Sequence, residues 1–245
     1  MSQRATTSLP GTGMDGRREA GTCRNAGGEG QARGRHTIFF GYSAGVGKTY
    51  SMLRDGIARA GSGEDVIIGY LEPHVRPETW ALAGDLETVP PRVIEYHGGH
   101  FTEPDIDGII ARRPALALVD ELAHADVPGE GHQKRWQDVE ELLAAGIDVY
   151  STLNVQHVES RMPRASQILG VLVHETVPDR VVEEADEVRL VDIDPKELIC
   201  RAKRGCVYSA DVLGRALTHV LRKPTLIALR ELACGLVHER RAHVR

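Results

Sequence analysis

Residues 39–49 read FFGYSAGVGKT, and this glycine-rich stretch decides the fold. It continues a β-rich run at residues 36–40 and leads into a segment in which Met52, Leu53 and Ile57 recur at helical spacing. A strand that passes through such a turn into a helix directs successive backbone N–H groups toward one point, where an anion binds. The stretch therefore predicts a phosphate-binding loop between the first strand and the first helix of an α/β domain.

The residue types in this loop indicate a nucleotide. Lys48 would supply a point charge for the β- and γ-phosphate oxygens, and the hydroxyl of Thr49 would be a ligand of Mg²⁺. The strict pattern places its first glycine at Tyr42, whereas this chain has Gly41 one position earlier, so an incidental glycine-rich turn is the alternative. The predicted nucleotide-binding residues are Gly41, Ser43, Ala44, Gly45, Val46, Gly47, Lys48, Thr49 and Tyr50.

A second apolar run, residues 115–119, ends in two acids. A carboxylate at the end of a buried strand is typical of the element that holds the Mg²⁺ of a bound nucleotide. We therefore predict Asp120 as a magnesium residue together with Thr49, and Glu121 as the candidate catalytic residue that activates water. Strand-end acids are usually solvated loop residues, so this interpretation depends on the preceding loop.

Polar residues also follow the predicted strand at residues 147–153. Ligands of open α/β sheets bind at the carboxyl ends of the strands. Asn154 or Gln156 is therefore a candidate to sense the γ-phosphate or to orient a water, and Asn154 is the one that we assign. A cap of the following helix is an equally good interpretation of Asn154.

From residue 35 onward, short β-rich runs alternate with helix-period segments, which is typical of a parallel sheet with crossover helices. The predicted fold is therefore α/β, a P-loop NTPase-like parallel sheet flanked by helices, with a C-terminal helical appendage. The predicted strands are residues 36–40, 66–71, 92–96, 115–119, 147–153 and 187–191.

Two helices of this fold carry end signals. One begins near residue 106 after a capping pattern formed by Thr102 and Asp105. The other covers the apolar positions of residues 136–143 and is expected to end at Gly146.

The chain divides into four predicted parts. Residues 1–34 hold eight glycines without an apolar pattern and are predicted to be a disordered leader. Residues 35–192 form the nucleotide-binding domain, and residues 193–237 form a helical appendage with two leucine-rich stripes. Residues 238–245 are arginine-rich with little apolar content and are predicted to fray.

Composition excludes several classes of function. The 245 residues are 41% hydrophobic, enough for one globular domain with a sizeable core. The net charge of −5 gives no global basic field, so we expect no nucleic-acid partner. No apolar run approaches the roughly 20 residues of a membrane span, and no signal peptide is evident, so a cytoplasmic protein without a membrane span is expected.

Two polar segments have no assigned role. One contains His74 and Arg76, and the other is the 122–133 loop directly after Glu121, which we expect to be mobile and to respond to nucleotide state. His124 and His132 do not predict a metal site, because eight residues separate them and no third soft ligand lies nearby in sequence.

Over residues 35–233 the chain resembles the N-terminal cytoplasmic domain of the KdpD-type sensor histidine kinases, the osmosensitive potassium-channel sensors. The long central block is far more specific than the phosphate loop alone. The stretches that carry the resemblance are GYSAGVGKTYSML, GYLEPHVRPET, LVDELAH, KRWQDVEELLAAGIDVYSTLNVQHVES, HETVPD and LRELA.

The resemblance implies that the loop binds ATP with Mg²⁺, and that the chain works with a histidine kinase or another signalling protein. It assigns the nucleotide to Gly45, Gly47, Lys48, Thr49, Asp120 and Glu121. The chain departs from the family at residues 125–127, where Ala-Asp-Val replaces a Thr-Asn-like stretch.

Three functions compete. The favoured one is an ATP-binding regulatory sensor domain of a KdpD-like two-component system for potassium uptake and osmotic response. We expect it to lack the kinase core and membrane helices, to be at most a weak ATPase, and to be unable to autophosphorylate alone. The alternatives are an autonomous P-loop NTPase or small-molecule kinase, and an interaction module without nucleotide.

Overall fold

The computed structural model describes residues 32–72, 77–129, 131–205, 207 and 221–243. A six-stranded parallel sheet flanked by helices forms its centre, which confirms the predicted α/β class. The sheet order is β3-β2-β6-β7-β1-β8. The strands are β1 (His36–Gly41), β2 (Val66–Tyr70), β3 (Glu87–Thr88), β4 (Arg92–Tyr96), β5 (Gly99–Glu103), β6 (Leu116–Val119), β7 (Asp148–Asn154) and β8 (Glu187–Leu190).

Helices cover the sheet and connect its strands. A short 3₁₀ helix, Val155–His157, follows β7 directly. The helices are α1 (Lys48–Gly61), α2 (Pro77–Ala83), α3 (Ile106–Arg112), α4 (Arg135–Ala144), α5 (Met162–Leu169), α6 (Asp179–Glu183), α7 (Pro195–Lys203) and α8 (Lys223–His243).

The apolar strands explain why the sheet is parallel and central. All residues of β2 and β6 are buried, as expected for strands covered on both faces by crossover helices. Successive side chains of β1 enter opposite layers: Ile38 and Phe40 join the larger core, and Phe39 joins the smaller core with Leu53 of α1.

The strand predicted at residues 92–96 forms, but it does not join the main sheet. β4 pairs antiparallel with β5, and the pair makes a separate hairpin through a two-residue turn at His97 and Gly98, both with positive φ. Val93 is 66% exposed and Ile94 is buried, so the strand has only one covered face. A central parallel strand is covered on both faces, so a strand with one exposed face does not belong in the main sheet as predicted.

The predicted capping pattern before α3 is also wrong in detail. Thr102 lies in β5, opposite Val93, and takes no part in a cap. Asp105 itself is the N-cap, because its carboxylate accepts a hydrogen bond from the Gly108 backbone N at 3.1 Å. At the end of α4, Gly146 has a φ of 81°, as the predicted stop requires.

The C-terminal helix shares the main core. Leu226, Leu229 and Ala233 of α8 are fully buried and belong to the same cluster as Ile38 of β1. The helix extends through His243 and so includes residues 238–243, where the sequence predicted a frayed end. Arg240 anchors this end, because its Nε donates to the backbone carbonyl of Val182 at 3.2 Å.

The predicted division into four parts stays a prediction. The leader, except for residues 32–34, lies outside the described residues, as do residues 208–220 with most of the first leucine-rich stripe.

The buried His36 gives the fold a measurable pH dependence. Its ring is 1% exposed, and its Nε2 lies 2.8 Å from Ser151 Oγ. Burial and, to a lesser extent, the charge of Arg33 lower the pKa of His36 to about 3, although Asp186 opposes the shift. The unfolded chain takes up this proton near pH 6.5, whereas the native chain does so only near pH 3. The contribution of His36 to stability is therefore lost as pH falls between these two values.

We expect the free energy of unfolding of the native sequence to fall below about pH 6.5 by an extra 1.4 kcal/mol or so per pH unit relative to His36→Gln. Denaturant unfolding between neutral pH and about pH 5 measures the difference in slope. The exposed His100→Gln is the matched control and keeps the slope of the native sequence. Parallel pH profiles for the native chain and His36→Gln would contradict this account.

Candidate nucleotide-binding site

The glycine-rich loop lies between β1 and α1, and two glycines determine its path. Gly45 and Gly47 have φ values of 85° and 104°, a region that side-chain-bearing residues rarely adopt. A Cβ on Gly45 would also lie 2.5 Å from Cγ1 of Val207. Gly47 is the N-cap of α1 and has no side chain to accept hydrogen bonds from the first turn. The N–H groups at this helix end therefore face outward, where they suit an anion.

Lys48 and Tyr42 have different roles in this loop. Lys48 is 8% exposed, and its Nζ donates to the Ser43 carbonyl at 3.2 Å, which holds the ammonium beside the cleft. Tyr42, at the position of the missing glycine, is buried in the core, and its hydroxyl donates to the Ile193 carbonyl at 3.0 Å. Tyr42 does not line the cleft, so the departure from the strict pattern leaves the cleft open.

Thr49 and Asp120 meet across the cleft. Thr49 Oγ1 lies 3.2 and 3.1 Å from the two carboxylate oxygens of Asp120, although the residues are far apart in sequence. Thr152 was not predicted as a site residue, yet its hydroxyl donates to Asp120 Oδ1 at 2.5 Å and accepts from the Glu121 backbone N at 3.2 Å. The signal for Thr152 is the polar end of β7, which pairs with β6. This group of oxygens is of the type that Mg²⁺ prefers.

Glu121 adopts a strained backbone conformation at the mouth of the cleft. Its φ is 57°, uncommon for a residue with a side chain. Burial of the carboxyl by surrounding protein and the adjacent Asp120 raise its pKa to about 6, and Lys48 opposes this shift. The residue still has open access to solvent. Glu121 is therefore a carboxylate that can accept a proton near neutral pH.

Asn154 carries an unsatisfied buried atom in the same cleft. Its Oδ1 is buried and has no hydrogen-bond partner within the described part of the chain. It precedes the 3₁₀ helix but its side chain forms no cap, so the capping interpretation is not supported. Gln156 instead contacts His157, with 3.3 Å between the amide nitrogen and the ring Nε2, and does not line the cleft. Of the two candidates, Asn154 is the one that faces the loop.

Nine of the twelve predicted residues line one cleft of about 250 Å³. An adjoining cavity of about 310 Å³ lies between the loop, Val46, Tyr50 and the residues that follow β8. Gly41 and Ser43 do not line the cleft; a Cβ on Gly41 would lie 2.7 Å from Val46. The cleft is lined by Ala44, Gly45, Gly47, Lys48, Thr49, Tyr50, Asp120, Glu121 and Asn154. It is also lined by Glu72 and Thr79, from the polar segment around His74 and Arg76 that had no assigned role, and by Val207, which the sequence did not indicate.

A buried arginine supports the acidic side of the cleft. Arg135 is fully buried, and its Nη1 donates to the backbone carbonyl of Asp120 at 3.3 Å. Its other nitrogens lie 2.7 Å from Glu103 and 3.3 Å from Asp126, and its guanidinium lies 4.2 Å from the ring centre of Tyr70. Arg135 therefore joins the end of β6, the hairpin and the 122–133 loop.

The carboxyls around Arg135 are strongly perturbed. Burial would raise the pKa of Glu103, but hydrogen bonding to His124 and the charge of Arg135 outweigh it and lower this pKa to about 2. Burial raises the pKa of Asp126 to about 7, although Arg135 opposes the shift. The contacts of Arg135 with Glu103 and Asp126 attach the 122–133 loop, which was predicted to be mobile, to the hairpin. Within the loop, the Asp126 backbone N donates to the Gln133 carbonyl at 3.1 Å.

Comparison with known proteins gives the family. The model described as KdpD, osmosensitive K⁺ channel His kinase sensor domain, matches residues 32–240. The chain belongs to this family. Three KdpD sensor proteins match over 82% of the chain. The chain is 51% identical to the KdpD sensor protein of Synechocystis sp., 50% identical to that of Escherichia coli K12 and 48% identical to that of Clostridium acetobutylicum.

The KdpD relatives are longer than this chain. The matched region spans 54% of the Synechocystis protein and 22% of each of the other two. Among the described residues, no helix combines the length and the apolar character that a membrane crossing needs. His74 and Arg76, whose roles the sequence left open, lie outside the described residues.

The environment of Arg135 predicts a large effect on stability. We expect Arg135→Met to lower the free energy of unfolding by about 3–5 kcal/mol, because it leaves buried carboxylates without their cation. Denaturant unfolding measures this loss. Arg112→Met is the matched control, since Arg112 pairs with Asp65 and Glu87 at the surface, where solvent screens the charges. Equal effects of the two substitutions would contradict the role given to Arg135.

Proposed function

We propose that the chain is the ATP-binding regulatory domain of a KdpD-type two-component sensor, with Mg·ATP bound in the cleft at the N-terminus of α1. The observation that carries the proposal is the convergence of three separate elements on this cleft. The loop supplies Lys48 and Thr49, the end of β6 supplies Asp120 and Glu121, and the end of β7 supplies Asn154. A cation, a hydroxyl–carboxylate pair and a buried amide in one cleft suit a polyphosphate with its metal ion.

The residues present fit a magnesium ion. Thr49 Oγ1 and the Asp120 carboxylate are already in contact, and Thr152 of the neighbouring strand β7 donates a hydrogen bond to the same carboxylate. These residues would hold the ion, which neutralises phosphate charge when bound. The unpartnered Asn154 Oδ1 would accept a hydrogen bond from a water at the γ-phosphate, while the amide nitrogen of the same side chain is a donor for a phosphate oxygen.

Regulation by occupancy is favoured over metabolite phosphorylation. Small-molecule kinases commonly close an arginine-bearing lid over the phosphates. In the described part of the chain, no arginine lines the cleft. Arg135 is buried in its own network, and Arg161 contacts Glu239 of α8. The autonomous kinase or NTPase therefore remains the less supported alternative.

The proposed context follows from the relatives. The family model describes the sensor domain of an osmosensitive K⁺ channel His kinase, and the sensor proteins KdpD extend well beyond the region that matches this chain. We infer that ATP occupancy biases the contact of this domain with a histidine kinase or other signalling partner in the cytoplasm, in response to potassium or osmotic state. The 122–133 loop, joined to Asp120 through Arg135, is the element through which occupancy would act.

Substitution of Lys48 tests the proposed function. We expect the purified chain to bind Mg·ATP in a calorimetric titration, and Lys48→Ala to weaken binding at least tenfold, about 1.4 kcal/mol. The loss follows because Lys48 is the cation beside the cleft. Lys223→Ala, which removes an exposed lysine at the start of α8, is the control and should bind as the native chain does. Absence of binding by the native chain at millimolar Mg·ATP would rule the proposal out.

Asn154 should discriminate ATP from ADP. If Asn154 contacts the γ-phosphate or its water, Asn154→Ala weakens ATP binding several-fold and leaves ADP binding nearly unchanged, because ADP lacks that phosphate. Competition of both nucleotides against a fluorescent analogue measures the ratio. Gln156→Ala, outside the cleft, is the control. An equal loss of both affinities would instead assign Asn154 to the shape of the cleft.

A further inference from the structure

A second cluster of potential metal ligands lies beside the nucleotide cleft. Glu103 at the end of β5 meets His124 and Asp126 from the loop that follows β6, and we name these three residues the acid–histidine cluster. One ligand atom from each lies within 4.8 Å of the other two. His124 Nε2 is 3.6 Å from Glu103 Oε1. The cluster thus presents one imidazole nitrogen and two carboxylate oxygens to a common point.

The surroundings of the cluster have an excess of negative charge. Arg135 is within 3.9 Å of three buried or nearly buried carboxylates, those of Glu103, Asp126 and Asp138. One guanidinium balances one of these three charges, and two remain when the imidazoles of His124, beside Glu103, and His132, beside Asp138, are neutral. Buried anions without a counter-ion are unfavourable, so the native chain must bind a proton or a cation here. His132 lies 3.0 Å from Asp138 and serves that carboxylate, not the acid–histidine cluster.

One ligand oxygen of the cluster has no hydrogen-bond donor among the described residues, and the Asp126 carboxyl can bond to Glu103 only by sharing a proton with it. The Asp126 side chain is 7% exposed, and its Oδ2 is buried without a hydrogen-bond partner among the described residues. Arg135 occupies the other oxygen of this carboxylate, Oδ1, and also Glu103 Oε2. Each carboxylate is thus oriented by the same arginine through one oxygen. The second oxygen of Asp126 has no donor among the described residues, whereas Glu103 Oε1 accepts from the Val127 backbone N at 3.2 Å and keeps a lone pair for another ligand. Fixed outer partners of this kind are typical of metal ligands.

An entry path to the cluster is also present. A cavity of about 400 Å³ borders it, with Glu103 and Asp126 in its wall together with polar residues such as Asp107 and His132. This cavity is separate from the nucleotide cleft, whose lining shares no residue with it. Water in the cavity can complete the coordination of an ion that the protein holds by three ligands.

We propose that Glu103, His124 and Asp126 bind a divalent transition-metal ion of the Zn²⁺ class. A ligand set with an imidazole and two carboxylates suits Zn²⁺, whereas Mg²⁺ and Ca²⁺ prefer oxygen alone. Two positive charges also match the excess of negative charge around Arg135. The bound ion would join the hairpin to the 122–133 loop, next to the arginine that contacts Asp120.

Competition with a chromophoric chelator tests the proposal on the full chain. The chain is first stripped with EDTA and then titrated with Zn²⁺ in millimolar Mg²⁺, which occupies the magnesium ligands of the nucleotide cleft. We expect one Zn²⁺ bound with a dissociation constant in the micromolar range or below. Asp126→Asn and His124→Ala should each weaken binding at least tenfold, whereas Asp107→Asn, which lines the same cavity outside the cluster, should not.

Asp126→Asn keeps the shape of the side chain and offers an amide donor to Glu103, so it is the variant that should fold normally. Circular dichroism and thermal unfolding without metal verify that it does. Lys48→Ala is expected to bind ATP at least tenfold more weakly and to retain Zn²⁺ binding, which separates failure of this proposal from failure of the proposed function.

Two results would overturn the proposal. One is the absence of Zn²⁺ binding below millimolar concentration. Greater stability of Asp126→Asn than of the native chain at alkaline pH would then identify a shared proton in place of a metal. The other is Zn²⁺ binding of equal affinity in the native chain, Asp126→Asn and His124→Ala, which would assign the ion to other ligands such as the cysteines.

Discussion

The parallel pairing of β6, β7 and β1 is the constraint on which the candidate site depends. In this register Val119 lies opposite Ser151, and Gly41 lies opposite Asn154. The three strands therefore end at one edge, and the glycine-rich loop, the acidic pair and the buried amide leave the sheet side by side. Burial of these strands on both faces holds the register, because a slip would move apolar side chains out of the two cores. The site is thus a consequence of how the core is filled.

Arg135 extends this arrangement beyond the sheet. The β4–β5 hairpin is not hydrogen-bonded to the main sheet as a strand, and the buried ion pair of Arg135 with Glu103 is one of its connections to the acidic side of the cleft. A second connection is the Tyr70 hydroxyl, which donates to the Thr102 carbonyl at 3.0 Å. Desolvation makes a buried ion pair a poor source of net stability, so its value here lies in fixing where the hairpin and the 122–133 loop sit.

The sequence predicts what is local and misses what is brought together from a distance. The sequence predicts features that depend on neighbouring residues. These are the apolar runs of the strands, the glycines of the phosphate loop and the end of α4 at Gly146. The strand at residues 92–96 was placed in the wrong sheet, since a short β-rich run alone does not say whether one face or both faces of the strand are covered. The polar end of β7 was recognised, but the sequence did not show that Thr152 contacts Asp120. The acid–histidine cluster was not predicted, because Glu103 reaches His124 only after the hairpin folds back onto the loop.

Three buried side-chain atoms of the described residues lack a hydrogen-bond partner. In the described residues they are Asn154 Oδ1, Asp126 Oδ2 and Arg161 Nε. An unsatisfied buried polar atom costs about 1–3 kcal/mol, a large share of the stability of a domain of ordinary size. Asn154 belongs to the cleft that contains Asp120, and Asp126 shares Arg135 with the Asp120 carbonyl. Asn154 Oδ1 and Asp126 Oδ2 both lie near the end of β6. Packing alone does not explain them, because an apolar side chain of similar shape would fill the same space without the cost of an unsatisfied polar atom. Both atoms are acceptors, which agrees with the proposals that Asn154 Oδ1 faces a water at a nucleotide beside Lys48 and that Asp126 Oδ2 faces a cation beside Glu103.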